Sequence, residues 1–123
     1  MNRRVVVTGL GTVNPLAHSV PAFWDGLLAG RSGIGTITLF DTAAFKVHFG
    51  GQVREFQPEA IMDARAARRL DRFAQLAMVA AEQAVKDCGL DLTKLDPFKA
   101  GCIIGSGIGG LHELEGGHTI YRD

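Results

Sequence analysis

Arg65, Arg68, Arg69 and Arg72 stand at i, i+3, i+4 and i+7. On a helix turning about 100° per residue they share one arc of about 100°. Guanidinium forks gathered on one face suit planar anions, whether phosphates or the carboxylates of an acidic helix. No acidic residue lies on that stripe, and the cluster opens a helix, where the macrodipole disfavours each cation by about 0.3–1 kcal/mol. An ordinary solvated face and an anion-docking face both satisfy the pattern.

A second group is Gly105-Ser106-Gly107-Ile108-Gly109-Gly110. Its Gly-x-Gly-x-x-Gly spacing matches the dinucleotide fingerprint and follows an apolar run. It lies far from the first strand of the chain, however, and no acidic residue follows at the distance that would reach a ribose. The stronger reading is that glycines here let the backbone turn sharply and admit another surface closely. The other strand-glycine junction, Gly9-Leu10-Gly11-Thr12-Val13-Asn14, has asparagine where the third glycine belongs.

Cys88 and Cys102 are the only cysteines. A nucleophilic cysteine needs an electropositive, partly exposed setting such as a helix N-terminus. Cys88 is expected on the apolar face of a helix and Cys102 in a buried strand, so both read as structural. His18, His48, His112 and His118 show no metal-ligand spacing, and neither a zinc site nor a Ser-His-Asp set can be assembled.

The elements that must position these groups follow from periodicity. Arg4 to Thr8 is a β-branched run closed by Gly9-Leu10-Gly11, expected as a strand buried on both faces. Asn14-Pro15 signals a turn. Ser19 caps a helix carrying Val20, Phe23, Trp24, Leu27 and Leu28 at helical spacing, and Gly30 ends it. Residues 31–60 read as irregular, with a short strand between Val47 and Val53. The spacing predicts one long helix from Ala64 to Cys88, with Leu70, Phe73, Ala74, Ala77, Ala81, Ala84, Val85 and Cys88 on its apolar face. Its alanines imply close packing, and Gly89 ends it. Ala100 to Ile104 is expected as a second buried strand feeding the glycine loop. Strands alternating with helices mean α/β with a largely parallel sheet. So few strands leave edges and a face uncovered, so the sequence reads as part of a domain.

Composition narrows the function classes. With 46% hydrophobic and 21% charged residues, the 123-residue chain is globular in composition. Thirteen basic residues balance thirteen acidic ones, so no global field favours nucleic acid or a membrane. No apolar run reaches the roughly 18 residues of a membrane span, and the start Met1-Asn2-Arg3-Arg4 leads into too short an apolar run for a signal peptide. A reduced, cytoplasmic location is expected.

In order along the chain, Arg4-Val-Val-Val-Thr-Gly-Leu-Gly11, Pro15, Phe23-Trp24, Leu27-Leu28-Ala29-Gly30-Arg31-Ser32-Gly33-Ile34, Phe40-Asp41-Thr42, Arg68-Arg69-Leu70-Asp71-Arg72-Phe73 and Gly105-Ser-Gly-Ile-Gly-Gly110 resemble the opening of the β-ketoacyl-acyl-carrier-protein synthases. These are the condensing enzymes of dissociated fatty-acid synthesis. Ile108 with Phe40-Asp41-Thr42 resembles 3-oxoacyl-acyl-carrier-protein synthase II more than synthase I. The resemblance covers essentially residues 1–123, as the first part of the family's N-terminal domain.

The resemblance implies a thiolase-like layered α-β-α-β-α fold, incomplete in this chain, within a homodimer. It implies decarboxylative Claisen condensation of acyl and malonyl thioesters carried on acyl carrier protein, with no cofactor. The family's nucleophilic cysteine and two histidines are expected C-terminal to Asp123, so this stretch alone is expected to be inactive. Arg65, Arg68 and Arg69 match the family's carrier-docking positions. Gly107, Ile108 and Gly109 match the acyl-pocket stretch, with Ile108 at the position that opens or closes it. Arg72 matches no docking position. A chain-length-factor-like partner subunit lacking the nucleophile is the alternative within the family; a nucleotide-binding module built on Gly105–Gly110 is the alternative outside it.

Overall fold

A computed structural model describes residues 3–122, the side chain of Ala60 excepted. Met1, Asn2 and Asp123, named above, lie outside the described residues. The order of elements is helix α1 (Val20–Leu28), strand β1 (Ile34–Thr36), strand β2 (Phe49–Gly51), a 3₁₀ turn (Pro58–Ala60), helix α2 (Ala64–Ala67), helix α3 (Arg72–Cys88), a second 3₁₀ turn (Leu92–Lys94) and helix α4 (Leu111–Arg122).

The first half follows its local signals. Asn14 Oδ1 accepts from the amides of Leu16 (2.9 Å) and Ala17 (3.1 Å), the side-chain-closed turn that Asn-Pro predicts. Helix α1 begins after Ser19, whose extended backbone makes it the N-cap, with Pro21 in the first turn. It ends at Gly30, whose φ of 64° places it in the left-handed region that stops helices. Strands β1 and β2 pair antiparallel, with Ile34 opposite Gly51 and Thr36 opposite Phe49. Gln52 extends that pairing by accepting from Thr38 N (2.9 Å) and donating to its hydroxyl (2.8 Å).

The alanine face of α3 packs as its composition implies. The segment from Gly9 to Thr12 runs along it so closely that a Cβ on Gly11 would meet the backbone of Ala80 and Ala84. One on Gly9 would meet Ala84 O and Cys88. Only glycine admits that approach. Two side chains of α3 secure the segment, Asp87 accepting from Leu10 N (2.8 Å) and Gln83 from Thr12 N (3.1 Å). Gln83 also donates to His18 O (2.7 Å), so one helix edge holds two turns of the N-terminal segment.

Three expectations are corrected. Residues 4–8 and 100–104 are not buried strands: the first enters no ladder and leaves Val5 93% exposed, and the second leaves Ile103 97% exposed. A strand exists only with a neighbour to share its hydrogen bonds, and among the described residues neither segment has one. The sheet that does form is the two-stranded antiparallel β1–β2 pair, not a parallel one. The single long helix is two helices, broken between Ala67 and Arg72. Helix α4 was not foreseen, because Gly116 and Gly117 within it argue against helix.

Candidate functional site

The break in the long helix reshapes the arginine stripe. Asp63 caps α2, its carboxylate accepting from Arg65 N and Ala66 N, both at 2.8 Å. Eight residues later Asp71 takes an extended backbone and its carboxylate accepts from Arg72 N, starting α3 afresh. Arg65 therefore lies in α2, Arg68 and Arg69 in the turn behind it, and Arg72 in the first turn of the next helix. Arg65, Arg68 and Arg69 are exposed. Arg72 turns inward: its Nη2 donates to Val53 O (2.7 Å), and its guanidinium lies 5.6 Å from the Phe56 ring centroid. The four-arginine arc is thus three guanidinium groups facing out and one used as a brace.

The dipole argument changes with it. Arg68 and Arg69 follow the C-terminal end of α2, where carbonyls favour a cation, so they carry no helix-terminus cost. Among the described residues, the ion pairs all belong to lysines: Lys86–Glu82, Lys94–Asp91 and Lys99–Asp96. The three outward arginines are left available to an external anion.

Ala67, 3% exposed, anchors the corner beneath them. Gln75 reaches back from α3 and donates through Nε2 to Ala67 O (2.8 Å) and Leu70 O (2.9 Å). Beside the corner opens a groove of about 790 Å³ between Leu39, Phe40 and Phe45, the corner residues Ala67, Arg68 and Leu70 to Arg72, and the start of α4. Phe40 and Phe45 meet edge to face at 5.8 Å, giving it an apolar wall. Arg68 belongs both to the outward basic face and to this groove. Gly107, Ile108 and Gly109 do not line it.

The glycine loop turns on Ser106, whose Oγ accepts from Gly109 N (2.9 Å), with Gly109 at φ 80°. Gly107 is exposed, Ile108 is 78% exposed and Gly109 is half-buried. Gly110 lies against Asp71, where a Cβ would come within 2.6 Å of the carboxylate. Asp71 Oδ2 also accepts from Glu113 N at 3.4 Å, in the first turn of α4. A carboxylate and Glu113 therefore stand at the helix start where a dinucleotide fingerprint would cradle pyrophosphate. The loop's glycines serve close approach to the corner instead.

The cysteines stay outside this region. Cys88 closes α3, and its Sγ donates to Val85 O (3.1 Å). Cys102 is exposed, not buried. Neither stands at a helix N-terminus. Among the described residues no cluster of His, Cys, Asp and Glu could hold a metal ion, and no helix is long and apolar enough to cross a membrane. Sequence reasoning missed Asp71 as a helix cap, because the apolar period runs through it unaltered, and Gln75 carries no sequence signal for its role.

Comparison with known proteins bears on the whole chain. Residues 2–121 match the family described as "Beta-ketoacyl synthase, N-terminal domain". A Synechocystis protein named 3-oxoacyl-[acyl-carrier-protein] synthase 2 is 43% identical over 121 residues, covering 98% of this chain and 29% of that protein. The Staphylococcus aureus (strain COL) protein of the same name is 44% identical over 122 residues, covering 99% and 30%. This chain thus spans less than a third of the curated relatives it matches. Among solved structures, the ishigamide ketosynthase/chain length factor superposes with TM-score 0.70 at 37% identity, over 77% of this chain and 24% of that one. A type II PKS acyl-carrier protein in complex with its ketosynthase, bound to a hexaketide, gives TM-score 0.59 at 30% identity, over 79% and 25%. The fold is accordingly the first part of the layered, thiolase-like α/β fold of ketosynthases, and the chain belongs to the β-ketoacyl synthase family, within its N-terminal domain.

Proposed function

We propose that this chain carries the carrier-docking face and part of the acyl-pocket wall of a 3-oxoacyl-acyl-carrier-protein synthase. The parent enzyme would join acyl and malonyl thioesters by decarboxylative Claisen condensation in fatty-acid biosynthesis, as a cytoplasmic homodimer without a cofactor. The observation that carries the docking role is the corner itself: Arg65, Arg68 and Arg69 exposed together, with no described carboxylate paired to them. Acyl carrier protein is the partner in one of the similar structures, which supports the same partner here. Gly107, Ile108 and Gly109 are assigned to the acyl pocket on the family resemblance, with Ile108 as the residue that gates it.

Neither cysteine of this chain suits the nucleophile. Cys88 lies among the terminal carbonyls of α3, which offer an anionic sulfur no N–H donors, and Cys102 lies exposed in an irregular segment away from any helix N-terminus. The 123-residue chain is expected to be catalytically inert alone, and turnover of radiolabelled malonyl-carrier and acyl-carrier protein by it would overturn that account. A chain-length-factor-like partner would share every feature described, since one similar structure is a ketosynthase/chain length factor. Condensation by the full-length parent separates the two.

Docking is tested by Arg68→Glu combined with Arg69→Glu. An exposed ion pair contributes about 0.2–1 kcal/mol, and reversal replaces attraction with repulsion. The pair should therefore weaken binding of an acyl carrier protein about tenfold or more, and flatten its dependence on salt. Binding unchanged in both respects would return the stripe to an ordinary solvated face.

A further inference from the structure

The three outward arginines stand on a corner whose shape is not self-supporting. Helix α2 has four residues, far below the length at which a helix persists unaided. Its last backbone bonds are Arg68 N to Ala64 O (3.2 Å), Arg69 N to Ala66 O (3.1 Å) and Leu70 N to Ala67 O (3.2 Å). These are open, tightening turns, and the chain then departs through the extended Asp71. What ties the turn to the stable helix behind it is one half-buried side chain. Both amide protons of Gln75 Nε2 are engaged, one on Ala67 O and one on Leu70 O, the carbonyls that bracket Arg68 and Arg69. The main-chain N–H of Gln75 meanwhile bonds Asp71 O (3.1 Å), so its position on α3 is itself fixed.

We propose that Gln75 is a positioning residue for carrier docking: it touches no partner, and it holds the Ala67–Leu70 turn so that Arg68 and Arg69 project together. This rests on the docking role proposed above. A planar amide with two donors suits the task because the two carbonyls diverge from one point, and a carboxylate or thioether at the same place offers them nothing. Without the clamp the turn retains its single-turn bonds but samples other orientations. Two guanidinium groups that no longer present together lose their joint contact with an acidic surface.

The test is a binding cycle on the full chain with a purified holo-acyl carrier protein, comparing Gln75→Met and Gln75→Leu with the parent sequence. Far-UV circular dichroism establishes that each variant is folded. Gln75→Leu serves if Gln75→Met does not fold, because it equally lacks a donor and adds no charge. Loss of the clamp should raise Kd about fivefold to tenfold and make the slope of log Kd against log salt shallower, although no charge on the docking face has changed. In the background of Arg68→Glu with Arg69→Glu, Gln75→Met should change Kd by less than about twofold, since its effect passes through those arginines. An equal loss in both backgrounds, or no loss beside an effective arginine reversal, would overturn the positioning role and leave docking intact. If the arginine reversal itself had no effect, docking would fail and the positioning role would fall with it.

Discussion

Gly11→Ala places a methyl group where the backbone of α3 already stands. The added Cβ would meet Ala80 O, Ala84 N (2.8 Å) and Ala80 C (2.9 Å), all main-chain atoms that cannot rotate away. The helix must shift or the Gly9–Thr12 segment must lift. Overpacking of this kind costs about 1–3 kcal/mol. Lifting instead breaks Leu10 N to Asp87 and Thr12 N to Gln83, each contributing about 0.5–1.5 kcal/mol, and so reaches the same range by another route. A loss of about 2 kcal/mol is expected, a large share of a small domain's stability. With a urea slope of about 1 kcal/mol per molar, the midpoint should fall by about 2 M. The assay is a urea titration followed by circular dichroism at the helix band. Gly116→Ala is its control: a Cβ there meets nothing within 4 Å and lies inside α4, so it should stabilise helix by about 0.5–1 kcal/mol. Gly9→Ala alone should resemble Gly11→Ala, but the double variant should cost clearly less than their sum, because a segment already lifted cannot collide again. A midpoint for Gly11→Ala within about 0.5 M of the parent, or full additivity of the pair, would refute the close-approach argument.

Other outcomes follow from single groups. The Asp91 carboxyl is held below its ordinary value of 3.8 by hydrogen bonds from the Thr93 side chain, then Lys94, then the Thr93 amide. A depressed carboxyl contributes above its unfolded value and loses that contribution as pH falls through its folded one. The Leu92–Lys94 turn should therefore loosen only below about pH 3.8, read from the Thr93 amide resonance in an NMR titration. An inflection at or above that pH would contradict the capping account. In the full-length parent, Ile108→Phe should shorten the accepted acyl chain. Excluding two methylenes at about 0.8 kcal/mol each corresponds to roughly a tenfold loss with the longer acyl donor. A product profile unchanged in chain length would remove Ile108 from the pocket.

How much of this was legible in the sequence depended on whether the cause was local. The Asn14 turn, the limits of α1 and the Gly89 stop are written in single residues with one conformational use, and they stand as expected. The alanine-rich face implied a close neighbour, although its identity, Gly9 and Gly11, needed the fold. Val5–Val7 and Ile103–Ile104 carry the composition of buried strands, but burial belongs to whatever lies beside them, and composition cannot supply a neighbour. The break at Asp71 escaped because the 3.6-residue period runs through it unaltered. The period reports which face is apolar, whereas the break is set by a side chain accepting from the backbone and by Gln75 and Arg72 reaching across.

That break also bears on why the basic corner has no ion pair among the described residues. Asp63 and Asp71 flank it in sequence and could have neutralised it. Each instead has its carboxylate engaged by main-chain amides, Asp63 by Arg65 N and Ala66 N, Asp71 by Arg72 N and Glu113 N. One of the four arginines is likewise withdrawn, its guanidinium held by Val53 O and Phe56. The caps that cut the helix in two therefore do two things at once: they create the turn that carries Arg68 and Arg69, and they occupy the neighbouring carboxylates that would otherwise compete with an acidic partner for them. In a continuous helix Asp71 would have been one more solvated side chain, free to swing toward the guanidinium groups of the stripe. The available charge of the corner is thus a consequence of its backbone geometry, and a substitution that removes a cap should alter docking even where no arginine is touched.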